Sequence, residues 1–257
     1  MSGNARRHIV SKWLKTKAIL RDPKMRGLVP DTRMLSADSL RAMLNTYGMV
    51  YIKPSYGTFG KGVMRVERTG SGYAYQTGVT KRSFGSINAL YRSIMQHKMK
   101  RTYLVQRGIH LLKYRGRRFD IRVMVQRNAR WRWETTGIIG RVAAPGKVVT
   151  NYHNGGKPTD IRTLLAPLVP GDTRHRIESR LANVGYDAAK ALACVYPNLD
   201  MVGADIGLDT SFRPWIIELN TAPDPYLFRH LADKSTHRKV LRYARALGRI
   251  ALARRRR

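Results

Sequence analysis

Apolar residues recur along this chain with two periods. Residues 36–48 (SADSLRAMLNTYG) set Leu40, Met43 and Leu44 at helical spacing, behind a cap-type Ser36 and ahead of a stopping Gly48. Residues 86–99 (SINALYRSIMQHKM) do the same with Ile87, Leu90, Tyr91, Ile94 and Met95. A long helix is predicted over Thr173 to Val195, with Gly185 a weak point within it, and the chain turns helical again from about His230. Between these segments the period shortens to two. MVYIKP, GVMRVER, TYLVQR, FDIRVMVQ, WRWETTGIIGRVA and KVVTN read as strands, with turns at Asn128-Ala129-Arg130 and Ala144-Pro145-Gly146. MVGADIGLD and WIIELN form two more.

The pattern predicts an α+β protein of two lobes. Residues 1–35 lead into the fold, 36–105 form a smaller lobe, 106–245 a larger one, and 246–257 a basic tail ending in ARRRR. No repeat or low-complexity tract interrupts them.

The smaller lobe contains KPSYGTFGKG (53–62), three glycines bracketed by Lys53 and Lys61. A Walker P-loop needs G-x-x-x-x-G-K-[ST] before a helix. Here Ser55 replaces its first glycine, Gly62 replaces its Ser or Thr, and a strand follows, so that reading fails. A protein kinase fails too, since no H-R-D and D-F-G pair follows. What remains is a flap between two strands, whose backbone N–H groups can approach phosphate oxygens while the lysines supply charge. An ordinary glycine-rich hairpin is the plain alternative.

The larger lobe holds a carboxylate pair. If Thr210 to Arg213 form a turn with Asp209 facing Pro214, then Leu208 faces Trp215, Ile206 faces Ile217, and Asp205 falls opposite Glu218. This register assumes no bulge. Asn220 then shares their face, and Ala204, Ile206, Leu208, Trp215, Ile217 and Leu219 make the apolar one. Like charges placed opposite each other repel, and a cation relieves the cost. Two carboxylates, an amide oxygen and substrate phosphates suit Mg²⁺. A solvated acidic hairpin is the alternative.

Charge widens the picture. Forty-nine Lys and Arg against sixteen Asp and Glu give a net +33. Such a field attracts phosphorylated ligands, nucleic acid and acidic polymers without specifying a fold. No helix-turn-helix, zinc-finger or RNA-recognition signature is present, so nucleic-acid contact through this surface is expected to be non-specific. The single Cys194 excludes an internal disulfide and any cysteine zinc cluster, and the seven histidines form no H-E-x-x-H site. No stretch approaches the roughly 20 apolar residues of a membrane span, and the N-terminus lacks a signal-type apolar core. A cytoplasmic protein is expected.

Taken in order, SKWLKTKAIL, LVPDTRML, VYIKPSYGTFGKGVMRV, YLVQRGIHLLKYRGRRFDIRVMVQRN, GIIGRVA, VVTNYHNGG, GADIGLD and IIELNTAPD resemble the ATP-grasp proteins of the YheC/YheD type, associated with endospore coats. The likeness runs from about Lys12 to Asp224. It implies the ATP-grasp fold, two α+β lobes holding nucleotide between them. More distantly it implies the chemistry of glutathione synthetase and D-alanine–D-alanine ligase, in which ATP activates a carboxylate as an acyl phosphate for attack by an amine. By the same resemblance Lys53 and the flap (Ser55, Gly57, Gly60, Lys61, Gly62) would meet the nucleotide phosphates and Gln106 the adenine. Lys12, or else Lys15 or Lys17, would be the earlier nucleotide lysine. Asp205, Glu218 and Asn220 would hold Mg²⁺, Arg122 and Arg141 would reach the transferred phosphoryl group, and Asn151 and Asn154 would border the substrate. A same-face ion pair of Asp120 with Arg122 is the plain alternative.

The pattern also departs from the family. About a dozen residues precede Lys12, where such ligases carry a full preceding domain that often helps to bind substrate, so donor and acceptor stay unidentified. Arg107 stands where the family often has an acid. An acidic peptide or polymer is one candidate substrate. A nucleotide-binding coat component without turnover is the second functional reading, and a basic polyanion-binding protein the third.

Overall fold

The computed structural model describes residues 8–150 and 152–251. Helix α1 (Lys12–Ile19) begins at Ser11, whose hydroxyl accepts from the Leu14 N–H, and a short α2 (Pro23–Arg26) follows. Strand β1 (Thr32–Met34) leads to α3 (Ala37–Tyr47), capped by Ser36 and Ser39 reciprocally and ended by Gly48 at φ 68°. Then come β2 (Met49–Pro54), β3 (Met64–Thr69), β4 (Gly72–Thr77), β5 (Thr80–Phe84), α4 (Ile87–His97) and β6 (Tyr103–Arg107). These strands form one antiparallel sheet in the order β1-β6-β2-β3-β4-β5. Its core is closed by Leu40, Met43 and Leu44 of α3 and Leu90 and Ile94 of α4, the residues the helical spacing had set on one face.

The second half holds β7 (Lys113–Tyr114), β8 (Arg117–Arg127), β9 (Trp133–Val142), β10 (Lys157–Thr159), α5 (Ile161–Leu165), α6 (Gly171–Val195), β11 (Met201–Leu208), β12 (Pro214–Asn220) and α7 (Lys234–Ala246). A 3-10 helix over Pro225–His230 precedes α7. The second sheet runs β10-β9-β8-β11-β12, again antiparallel. Helix α6 covers one face. Ala18, Ile19, Met25 and Val29 from the first thirty residues join that same core.

Two expectations are corrected. KVVTN (147–151) forms no strand over its described residues. The short edge partner of β9 is Lys157–Thr159, and Val148, Val149 and Thr150 instead wall a cavity. The β11–β12 register also differs near its turn. Leu208 pairs with Pro214, Gly207 with Trp215 and Ile206 with Ile216, one residue off the reading above. Asp209 causes this: its carboxylate accepts from Ser211 N–H, Arg213 N–H and Trp215 Nε1, tightening the turn. A bulge at Ile217 takes up the extra residue and restores Asp205 opposite Glu218. Ile216 therefore fills the core place expected of Ile217, while Ile217 lines the cavity.

Gly185 is a packing necessity in the middle of α6. A Cβ there would stand 2.5 Å from Val123 Cγ1 and 2.9 Å from Val123 Cβ. Gly185→Ala should gain about 1 kcal/mol of helix propensity yet lose about 1–3 kcal/mol to overpacking. A lower denaturant midpoint is the expected net result, and an unchanged midpoint would mean that α6 can lift from the sheet.

Candidate active site

Across the second sheet, register alone aligns the charged residues. Asp120 pairs with Arg141 between β8 and β9, Arg122 with Asp205 between β8 and β11, and Asp205 with Glu218 between β11 and β12. All project from the face opposite α6. Arg141 donates to Asp120 through Nε (2.8 Å) and Nη2 (2.5 Å), and its Nη2 lies 3.0 Å from Asp205 Oδ1. Arg122 donates to Asp205 through Nε (2.5 Å) and Nη2 (3.2 Å). Asp120 and Arg122 are thus neighbours, but each takes its partner from another strand. Asn220 Nδ2 donates to Asp205 Oδ2 at 3.0 Å. Gly203 makes room, since a Cβ there would meet Arg122 Cδ at 3.1 Å and Pro223 Cβ at 2.7 Å.

The four members of this network are almost fully buried. Burial alone would raise the pKa of Asp205, but Arg122 and Arg141 outweigh it and hold the carboxyl at about 2. Burial likewise works against the charge of Arg141, and Asp120 and Asp205 overcome it and raise its pKa. These hydrogen bonds engage Nε and Nη2 of each arginine. Nη1 of each makes none among the described residues.

Lysines approach from the other side. Lys12 reaches Glu218 Oε1 (3.0 Å) and the Gly57 carbonyl (2.7 Å), so it links α1, the flap and β12. Lys15, one turn on, is buried. Its pKa falls to about 8 because burial and Lys12 together outweigh Glu218 and Asp205. Lys17 is exposed, 5.9 Å from the Trp13 ring, so of the three only Lys12 lines the cavity. Lys53 Nζ donates to Gln106 Oε1 (2.8 Å) and to the Ile217 carbonyl (3.0 Å). Burial brings its pKa to about 8 against the upward pull of Glu218, with Lys12 and Lys15 adding to the depression. Gln106 Nε2 in turn donates to Thr32 Oγ1 at 2.9 Å, so Gln106 orients Lys53 as well as facing the cavity.

The cavity beneath the flap is a partly open cleft of about 520 Å³, within the range of small-molecule sites. Gly57, Thr58, Phe59, Gly60 and Lys61 roof it, and Ile109, Leu111 and Ile217 supply an apolar wall. The flap tip is pinned: the Phe59 ring meets His153 edge-on at 4.1 Å, and Asn154 Nδ2 donates to the Phe59 carbonyl. Ser55 and Gly62 do not line the cavity. Ser55 bonds backbone-to-backbone with Lys12 and Thr102, and a Cβ on Gly62 would meet Tyr103 Oη at 2.6 Å, so both secure the base of the flap. Asn154 acts on the flap rather than lining the cavity, and Asn151 lies outside the described residues. His153 carried no sequence signal of its own. It is exposed, as its place beside the Asn-Gly-Gly loop suggested, and it lines the cavity between Phe59 and Tyr152.

Two antiparallel sheets, a glycine flap between them and cations converging beneath it define an ATP-grasp architecture. The chain belongs to the YheC/D-like ATP-grasp family, whose sequence profile matches residues 4–247. It is similar to endospore coat-associated protein YheD of Bacillus subtilis (strain 168), at 25% identity over 255 residues. That match covers 94% of this chain and 55% of YheD, so the chain spans little more than half of that relative. The fold is shared with D-cycloserine synthetase DcsG (TM-score 0.56, 14% identity, 93% of this chain and 70% of that one). It is shared also with N5-carboxyaminoimidazole synthase from Aspergillus clavatus, solved with ADP and 5-aminoimidazole ribonucleotide (TM-score 0.54, 11% identity, 93% and 52%). Among the described residues no helix is long and apolar enough to cross a membrane.

Proposed function

We propose that this protein is an ATP- and Mg²⁺-dependent ligase that joins a carboxylate to an amine or thiol through an acyl phosphate. The observation that carries the reading is the buried Asp120–Arg141–Asp205–Arg122 network, set beneath a glycine flap with Lys12 and Lys53 beside it. Phosphoryl transfer asks the protein for position and charge stabilisation rather than for covalent chemistry. Guanidinium groups suit that task, because their planar forks match phosphate oxygens. Asp120 and Asp205 fix Arg122 and Arg141 from one side, which leaves Nη1 of each for oxyanions. Lys53 would meet nucleotide phosphates from the opposite lobe, under the flap from Gly57 to Lys61. The apolar wall of Ile109, Leu111 and Ile217 would take the base.

The donor set fits magnesium. Among the described residues no three His, Cys, Asp or Glu side chains gather as a metal site. By the resemblance, a cation would rest on Asp205, Glu218, the Asn220 amide oxygen and phosphate oxygens, all hard ligands. Bound there, it would neutralise charge on the phosphates. Glu218→Gln should abolish Mg²⁺-dependent phosphate release while leaving the thermal midpoint nearly unchanged, since Glu218 sits at the cavity edge. Full turnover by the variant would sink the metal assignment. Lys12 ion-pairs with this carboxylate, so nucleotide affinity measured without Mg²⁺ separates loss of the metal from loss of the lysine's anchor.

A second reading is a nucleotide-binding component of the spore coat that does not turn over. The name of the YheD relative favours it, as does Asp205, whose two oxygens are already taken by Arg122, Arg141 and Asn220. Phosphate release from ATP across a panel of carboxylates, amines and thiols discriminates between the two. Release stimulated by one pair supports the ligase, and saturable nucleotide binding with no release from any pair supports the coat component.

A further inference from the structure

The β8–β9 hairpin carries a basic feature that the cavity does not use. Asn128 Oδ1 accepts from the N–H groups of Arg130 (2.9 Å) and Arg132 (3.0 Å), and the Trp131 N–H donates to the Asn128 carbonyl at 2.9 Å. This closure places Trp131 at φ 58°, a left-handed conformation that bulky side chains enter at a cost. The indole gives the core nothing in return, being 49% exposed. Glycine would hold the same turn without strain. It would also keep the backbone bond that this residue supplies, in which its carbonyl accepts from Arg127 Nη1 at 2.7 Å.

Arg127 lies under the indole. Its guanidinium carbon is 5.5 Å from the Trp131 ring and 4.3 Å from the Trp133 ring, and its buried Nε has no hydrogen-bond partner among the described residues. Indole faces therefore hold this cation, which forms no ion pair among the described residues. The surrounding surface is basic. Arg130 and Arg132 flank Trp131 and are exposed. Asn128 Nδ2 and Tyr243 Oη both donate to Glu134, each at 2.6 Å, and so join the hairpin to α7. Beside Tyr243 on α7, Arg238, Arg242 and Arg245 are exposed. None of these five arginines makes an ion pair among the described residues.

We propose that this surface binds single-stranded nucleic acid, with phosphates on the arginines and a base stacked on Trp131. Unpaired cations select a polyanion, and a flat exposed ring with a cation beneath it selects one whose units have π-faces. An acidic polypeptide would use the arginines but gain little from the indole. A membrane would need contiguous apolar ground, whereas here arginines separate the rings. Arg127 lies five residues beyond Arg122 on β8, about 16 Å along the strand. Binding here is therefore independent of the ATP cavity.

The test is fluorescence anisotropy of the full chain with a labelled oligothymidylate of about 12 nucleotides, within the span of common single-strand sites. Trp131→Gly should weaken binding about tenfold while the thermal midpoint stays level or rises, and Trp131→Phe should recover most of the affinity. Replacing Arg130 and Arg132 together by Ala should flatten the log–log salt slope by about 1.4, from two phosphate contacts at about 0.7 each. Lys53→Met, or saturation with an ATP analogue, should leave the oligonucleotide affinity unchanged, so failure of the ligase reading would not imitate failure here. Affinity that ignores Trp131, or equal competition by polyglutamate, would overturn the proposal in favour of diffuse polyanion attraction. Trp131-dependent binding to phosphatidylglycerol vesicles, with none to the oligonucleotide, would reassign the surface to a membrane.

Discussion

Arg141→Met is expected to destabilise the protein by about 3–5 kcal/mol, the range for breaking a buried ion pair by removing one partner. The methionine leaves Asp120 without its bidentate partner and Asp205 with only Arg122 and Asn220, both carboxylates being almost fully buried. Chemical denaturation at neutral pH measures the loss. A double variant, Arg141→Met with Asp120→Asn, should recover part of it, because it removes the carboxylate left unpaired. A single variant as stable as the parent would mean that water enters the network and the sheet face is not dry. The same charges give an acid limit. The pKa of Asp205 lies below its ordinary value of 3.8, so its contribution is complete above about pH 4 and fades as the pH falls toward 2.

Lys53→Met should weaken nucleotide binding about 10- to 100-fold, the worth of one charge-assisted hydrogen bond to phosphate. Stability should stay within about 1 kcal/mol, since relief from burying an ammonium offsets its lost bonds to Gln106 and the Ile217 carbonyl. Calorimetric titration with a non-hydrolysable ATP analogue and Mg²⁺ at about 0.5 M salt, where the Debye length is about 4 Å, reads the shaped site rather than the general field. The pH dependence sharpens the test. Lys53 has a folded pKa of about 8 against its ordinary 10.5, so the unfolded chain binds more protons between those values. Its contribution to stability therefore rises with pH across that window, while nucleotide affinity falls as the ammonium is lost. Lys15 titrates in the same window, and Lys53→Met separates the two by flattening only its own share. Affinity that is level from pH 7 to 10 in the parent would remove Lys53 from the phosphate site.

Several of these features were legible in the chain itself. Ser36 and Gly48 bound α3 as a cap and a left-handed stop, because local hydrogen bonding and backbone freedom decide helix ends. Asp205, Glu218 and Asn220 were assigned to one face by period-two alternation, and they share it. The route to that result was not legible. The turn begins one residue tighter than expected because the Asp209 side chain gathers three donors, and a bulge at Ile217 then undoes the shift. Two compensating departures left the pair in register while exchanging Ile216 and Ile217 between core and cavity.

By itself, then, the sequence determined α3, α4, α6 and α7, the cap and stop of α3, the α+β class, the family and the set of charged residues on one face of the second sheet. All but the family, which rests on the order of motifs along the chain, are written in spacing between near neighbours. Tertiary structure alone decided who pairs with whom. Arg141 meets Asp120 and Asp205, Lys12 rather than Lys17 enters the cavity, Gln106 holds Lys53, and His153 with Asn154 pins the flap. Those partners come from strands and loops tens to hundreds of residues apart, and no local period carries their separation. The charges were visible in the chain, but which of them neutralise one another and which stay free for a ligand is a property of the packed sheet.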